Sequence, residues 1–279
     1  IMNIPSSQEQ KTTDKLSTIG LNEYRMRTEH LLQQTPLNFS FDKNIISHYK
    51  KALNYIADKK RALFLAEKMR VDYVFHTVAL EGNPMTLPEV KTLIDGITVG
   101  GRKVSDAEQV LNINESLSYL LQQVRSNHFQ LDKQTACGIQ NLVARNEALT
   151  WGKFRDSYVS IGGTDYTPPQ HELLDSLFEQ GRTELLKEED IVLRAFLTFL
   201  WGSLHQFFYD GNKRTSRLLA SGILLTHGLP PFMIHSKDQL IYNQTMKEFY
   251  DHQEATQALI WLYSYYTEQL QKFGFIKSE

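Results

Sequence analysis

The sequence predicts an all-α, mainly helical domain carrying one small β-hairpin flap, and three observations lead there. From about residue 40 onward apolar residues recur at spacings of three and four, the pattern of helices that bury one face. Only the stretch GKFRDSYVSIGGTDYTPP reads as strand. No repeat, low-complexity block or change of composition divides the chain after residue 40. With 279 residues, 41% of them hydrophobic and 22% charged, the chain has enough apolar side chain for a sizeable core.

Residues 1–44 are expected to form an N-terminal arm, the first twenty being polar, aperiodic and loose. Met2, behind a lone Ile1, is the expected natural start. No apolar signal core stands near it, and no run reaches the roughly 20 uncharged apolar residues of a membrane span, so a cytoplasmic protein without membrane contact is expected. The main domain covers 45–275. Within the helical stretch after residue 42, Val71, Val74, Phe75 and Val78 mark a buried face, and the helix 71–82 stops at Gly82-Asn83-Pro84. Further helices are predicted at 86–95, 104–124, 132–148, 170–182, 189–204, 213–227, 238–250 and 255–272. The flap occupies 154–168: Tyr158, Val159 and Ile161 lead into Gly162-Gly163, residues 164–167 return, and Pro168-Pro169 close it. On that flap Tyr158, Val159 and Ser160 are candidates for contact with a target by strand addition. The aromatic residues of 242–266 keep helical spacing without basic neighbours, which predicts core packing, not base stacking.

Charge narrows the function. Thirty basic against 32 acidic residues give a net charge of −2, too balanced for a general grip on nucleic acid or anionic membrane, so any anion site is local. The lone Cys137 permits no internal disulfide and fits a reducing compartment and a small buried side chain. Nine histidines show no paired ligand spacing, which leaves no structural zinc site; His76 and His171 read as helix-face or cap residues. Lys50, Lys51, Lys59, Lys60 and Arg61 read as a solvated helix face.

The local anion site is legible in LHQFFYDGNKRTSRLL, residues 204–219. Asp210-Gly211 is a turn dipeptide, and a helix runs from there to Gly228, with Pro230 beyond. Lys213, Arg214 and Arg217 stand at its N-terminus, where the backbone dipole disfavours cations by about 0.3–1 kcal/mol each. Free N–H groups of the first turn, with Gly211 and Asn212, make a phosphate cradle, and the two arginines suit the outer phosphates. Asp210 would hold a Mg²⁺ that bridges them. A nucleoside triphosphate fits best. Glu81 carries the opposite anomaly, an acid at the negative end of its helix. The two misplaced charges offset one another if Glu81 stands where a terminal phosphate would, as a competitive plug.

These residues resemble the Fic family, also called Fic/Doc, whose signature runs His-Pro-Phe-x-(Asp/Glu)-Gly-Asn-(Gly/Lys)-Arg-x-x-Arg. Phe208, Asp210, Gly211, Asn212, Lys213, Arg214 and Arg217 match it. Upstream, Thr77, Glu81 and Gly82 resemble the family's inhibitory helix, Ser/Thr-x-x-x-Glu-(Gly/Asn), whose glutamate pairs with the second arginine of the signature. Residues 84–125 resemble the helices that follow such a segment, and the flap resembles the hairpin that docks a target peptide. The likeness covers about residues 45–270.

The resemblance implies a Fic-like helical fold and transfer of AMP from ATP, with Mg²⁺, to a Ser, Thr or Tyr hydroxyl of a target protein, and a possible homodimer. It assigns metal binding to Asp210, the anion hole to Asn212 and the loop amides, and the β- and γ-phosphates to Arg214 and Arg217. Two departures leave alternatives open. The base of the family is a histidine four residues before the acid, where this chain has Gln206; His205 lies five before. Either the loop absorbs one residue and His205 serves, or glutamine replaces the base and the chain is a degenerate module that binds nucleotide or a partner. Lys213, where many AMP-transferring members have glycine, brings in a Doc-like phosphotransferase as a further alternative.

Overall fold

The computed structural model describes residues 36–276, so the loose start expected over residues 1–20 lies outside the described residues. The end of the expected arm belongs to the packed body: Leu37 and Phe39 are buried, and Phe39 meets the ring of Phe249 edge-on. Two apolar side chains in so short a span supply the burial that holds the segment down.

The helices are α1 (Lys43–Ala52), α2 (Lys59–Lys68), α3 (Arg70–Ala79), α4 (Leu87–Ile94), α5 (Val104–Arg125), α6 (Lys133–Val143), α7 (Leu174–Lys187), α8 (Ile191–His205), α9 (Asn212–Thr226), α10 (Gln239–His252) and α11 (Thr256–Lys272). Short polar side chains start several of them. Asp42, Asp58, Asp132 and Asp190 each accept a backbone N–H from the first turn of the helix that follows, satisfying donors that have no partner inside the helix. The cap at Asp58 also explains why the stretch after residue 42 is broken between Ala52 and Lys59. The helix expected over 132–148 stops at Val143, because Asn146 takes a left-handed conformation and the Asn112 side chain donates to the Arg145 carbonyl.

α8 is buried almost all round, from Val192 to His205, and α9 packs against it, α6 and α5. That central pair sets the site, since the short loop between them carries residues 206–211. The aromatic stretch near the C-terminus is core, with Tyr242, Phe249, Tyr263 and Tyr266 buried. Arg61 is exposed, as expected of that helix face, and its guanidinium also donates to the carbonyls of Phe273 and Gly274 and lies 4.6 Å from the Phe275 ring centre.

The hairpin expected at 154–168 is absent. Among the described residues there are only two isolated bridges, Ser40 with Glu254 and Tyr55 with Ile276. A hairpin without a sheet is marginal, and here the loop 206–211 and α10 take over its contacts. Arg155 donates its backbone N–H to the Phe207 carbonyl and its buried guanidinium to the carbonyls of Gln206, Ser157 and Pro169. Farther along, Thr164 bonds the Asp251 carboxylate and Tyr166 stacks on Tyr250. The flap is therefore an extended strap moored at both ends. No helix among the described residues is long and apolar enough to cross a membrane.

Candidate functional site

A cavity of about 510 Å³ opens where three things meet: the loop 206–211 with the first turn of α9, the strap 160–164, and α10. Its walls include Glu81, Gln206, Asp210, Asn212, Lys213 and Arg214. The loop is built for a tight backbone. Gly211 has φ +76°, and a Cβ there would lie 3.0 Å from Val143 Cγ1 and 3.2 Å from Ala144 Cβ, so both conformation and space demand glycine. Asn212 braces the loop from inside. Its Oδ1 accepts the Phe208 N–H, and its Nδ2 donates to the Phe208 carbonyl and to Gln206 Oε1. The carboxamide is thus used up in the loop, leaving the backbone amides of the α9 start as the groups able to hold an anion.

The two arginines diverge. Arg214, with a side chain 4% exposed, donates to Glu147 Oε2 at 2.8 Å and approaches Asp210 Oδ1 at 3.4 Å. Arg217, 3% exposed, donates to Tyr242 Oη at 2.9 Å and to Glu81 Oε1 at 3.3 Å. Lys213 Nζ lies 3.4 Å from the other oxygen of Glu81. Burial alone would raise the Glu81 carboxyl, but the charges of Lys213, Arg217 and Arg214 outweigh it and hold it below the usual carboxylate range. Glu81 lines the cavity and Arg217 does not, so the cavity meets a carboxylate in front of the guanidinium.

The turn that presents Glu81 is fixed. After α3, Gly82 N–H donates to the Ala79 carbonyl and Asn83 N–H to the Val78 carbonyl, the double bond of a Schellman stop, and Gly82 supplies the left-handed residue with φ +84°. Thr77 is buried on the same helix. On the other side of the cavity, Asp210 has a side chain 55% exposed. Its Oδ1 accepts the Gly211 N–H as well as facing Arg214. Among the described residues no group of three His, Cys, Asp or Glu could hold a metal by itself. One accessible carboxylate fits a Mg²⁺ that takes its remaining ligands from phosphates and water.

His205 and Gln206 part company at the end of α8. His205 is fully buried, its ring parallel to Phe207 at 5.2 Å and its Nδ1 2.9 Å from the Trp201 carbonyl. Burial pulls this imidazole down to about 4. Gln206, with φ +49°, turns the chain out of the helix and lines the cavity. Its Nε2 donates to the Ser203 carbonyl while its Oε1 accepts from Asn212. The sequence reading in which His205 reaches the reacting group is corrected here: the helix continues through residue 205, so the imidazole points into the core and the cavity is walled by the amide.

Of the strap residues, Ser160 lines the cavity, whereas Tyr158 is 58% exposed and meets the His171 ring edge-on; Val159 is half-buried beside them. Sequence reasoning missed Glu147, Tyr242 and Arg155, which hold Arg214, Arg217 and the loop backbone. Each lies tens of residues from its partner, and no local pattern marks it.

Residues 130–224 match the model of the Fic/DOC family. Among curated proteins the chain is similar to the protein adenylyltransferase Fic of Aedes aegypti, 26% identical over 201 residues, which are 69% of this chain and 40% of that protein. It is similar also to the protein adenylyltransferase Fic of Nematostella vectensis, 26% identical over 189 residues, 63% of this chain and 42% of that one. The chain therefore spans about two fifths of the length of these curated relatives. Fic-1 from C. elegans has the same fold, with a TM-score of 0.65 at 17% identity, covering 92% of this chain and 76% of that chain. The match to the family model begins just before α6 and ends within α9, so it contains the loop and the basic helix start but not Glu81. The region that builds the cradle, residues 130–224, is a Fic/DOC family domain.

Proposed function

We propose that this chain is a self-inhibited protein adenylyltransferase that moves AMP from ATP to a Ser, Thr or Tyr hydroxyl of a target protein in the cytoplasm. The observation that carries the reading is the Glu81 carboxylate set against Lys213 and Arg217 at the wall of the cavity. In that reading the amides of the α9 start and Arg214 bind the phosphates, and the strap around Ser160 lies beside the incoming hydroxyl. The hydroxyl oxygen bonds to the α-phosphorus, the bond to the bridging oxygen breaks, pyrophosphate leaves and the hydroxyl proton goes to solvent. Asp210 would hold Mg²⁺, which when bound neutralises charge on the phosphates. Glu81, occupying the partner position of Arg217, keeps the terminal phosphate out until its turn moves. The homodimer implied by the family likeness belongs to the same proposal.

One observation favours a second reading: among the described residues no imidazole lines the cavity, so a non-catalytic nucleotide-binding module is the alternative. The test is to incubate wild type and Glu81→Gly with Mg²⁺ and ATP labelled at the α- or the γ-phosphate, and to look for labelled protein, self-labelling included. Adenylyl transfer predicts α-label on Glu81→Gly above wild type. Label from the γ-phosphate alone would make the chain a phosphotransferase, as Lys213 allows, and ATP binding without any label would make it a binding module.

A further inference from the structure

The turn that carries Glu81 is tied to the start of α9 by a second route, opposite the ion pairs. Asn83, two residues after Glu81 and only 9% exposed, donates its Nδ2 to Gln109 Oε1 at 2.9 Å and to the Asp106 carbonyl at 3.0 Å. Gln109 on α5 donates its Nε2 to Glu147 Oε2 at 3.0 Å. The same Glu147 oxygen receives Arg214 at 2.8 Å. With Arg217 on Glu81, the bonds close a ring: Arg214, Glu147, Gln109, Asn83, Glu81, Arg217 and back along α9.

The ring has one permitted sense. A carboxylate only accepts, so Gln109 must turn its NH₂ to Glu147 and its oxygen to Asn83. Asn83 must then present its NH₂ to Gln109 and its Oδ1 to the Met85 N–H, as observed. The Glu147 charge therefore orients both amides, and through Asn83 it fixes the turn from which Glu81 projects. Glu147 Oε1 is buried, and Oε2 takes both bonds of the ring, from Gln109 and Arg214.

We propose that Asn83, Gln109 and Glu147 are positioning residues that latch the Glu81 turn closed, so that the strength of self-inhibition is set partly by this hydrogen-bond chain. The latch rests on the plug reading of Glu81. A triphosphate that displaces Glu81 must move its turn, and the turn drags Asn83 against Gln109. Loosening the chain then favours nucleotide, a direction that plain structural damage does not take.

The experiment titrates Mg²⁺ and ATP into wild type, Glu81→Gly, Gln109→Leu and the double variant by calorimetry, with thermal melts as a check on folding. Gln109→Leu removes both polar ends with a side chain one atom shorter, and leaves Asn83 on the Asp106 carbonyl and Glu147 on Arg214; Gln109→Met, which keeps the side-chain length, is the second variant if leucine does not fold. Gln109→Leu loses its bonds to both Asn83 and Glu147, and it should bind ATP about two- to tenfold more tightly than wild type, the ratio that goes with the Asn83 bond, the one that holds the turn. In the Glu81→Gly background the same change should do nothing, because the latch has no plug left to hold. Unchanged or weaker binding by Gln109→Leu, while Glu81→Gly tightens it, overturns the latch and leaves the plug standing. An equal gain in both backgrounds also overturns the latch, since the effect would not run through Glu81. If Glu81→Gly binds no more tightly than wild type, the plug reading fails and the latch fails with it.

Discussion

Replacing Gln206 with histidine in a Glu81→Gly background supplies an imidazole, which no described residue brings to the cavity. The position suits it, because the backbone at φ +49° lies in a region that histidine tolerates better than most residues. The loss is the hydrogen bond from Asn212 to Gln206 Oε1 and that from Gln206 to the Ser203 carbonyl, each worth about 0.5–1.5 kcal/mol. Asn212 keeps its two bonds to Phe208, so the loop retains its brace. A general base contributes about 10²- to 10⁴-fold, equivalent to about 3–5 kcal/mol of barrier. The assay compares initial rates of protein labelling from α-labelled ATP for Glu81→Gly and Glu81→Gly/Gln206→His. The predicted gain is at least about tenfold, after allowance for loop strain, and the gain should titrate with an imidazole. Equal rates, with ATP affinity retained, would refute the assignment of residue 206 to the base position.

Three further outcomes follow from the same geometry. Arg217→Ala should weaken ATP binding several-fold in the Glu81→Gly background, measured by calorimetry; unchanged affinity would remove Arg217 from the phosphate site. Gly211→Ala should lower stability in urea melts by about 1–2 kcal/mol for the left-handed residue, plus the clash with Val143; a neutral result would show that the loop relaxes. Stability should also fall with pH below 6.5. The buried His205 takes its proton only near 4, whereas the unfolded imidazole takes it near 6.5. At high pH both states are neutral, and as pH drops the unfolded state binds the proton first, so stability is lost between 6.5 and about 4. At about 1.4 kcal/mol per pH unit the full loss from this group is about 3 kcal/mol. His205→Leu should flatten that slope, and an unchanged slope would mean that the imidazole is not buried neutral.

What the sequence made legible was local. Asp210-Gly211 before a basic helix start, and Gly82-Asn83-Pro84 after an apolar helix, carry turn and cap chemistry within a few residues, so both helix ends and their misplaced charges could be read before any coordinates. Glu147, Tyr242 and Arg155 could not be read that way, because their roles come from packing of α5, α6, α10 and the strap against α9. The hairpin reads from β-branched and glycine residues, but the backbone N–H of Arg155 bonds the Phe207 carbonyl in the loop and the side chains of Thr164 and Tyr166 meet α10, so no ladder forms. The choice between His205 and Gln206 turned on a single residue of helix register. Only the burial of His205 against Phe207 and Trp201 decides which side chain leaves the core.

The most direct measurement is the dissociation constant of Mg²⁺ and ATP for the wild-type chain and for Glu81→Gly. A carboxylate that occupies the guanidinium of Arg217 competes with the terminal phosphate, and a charge-assisted hydrogen bond of about 1.5–3 kcal/mol makes the variant bind about ten- to a hundredfold more tightly. Equal constants would contradict the account, since they would mean that ATP and the Glu81 side chain do not share that arginine.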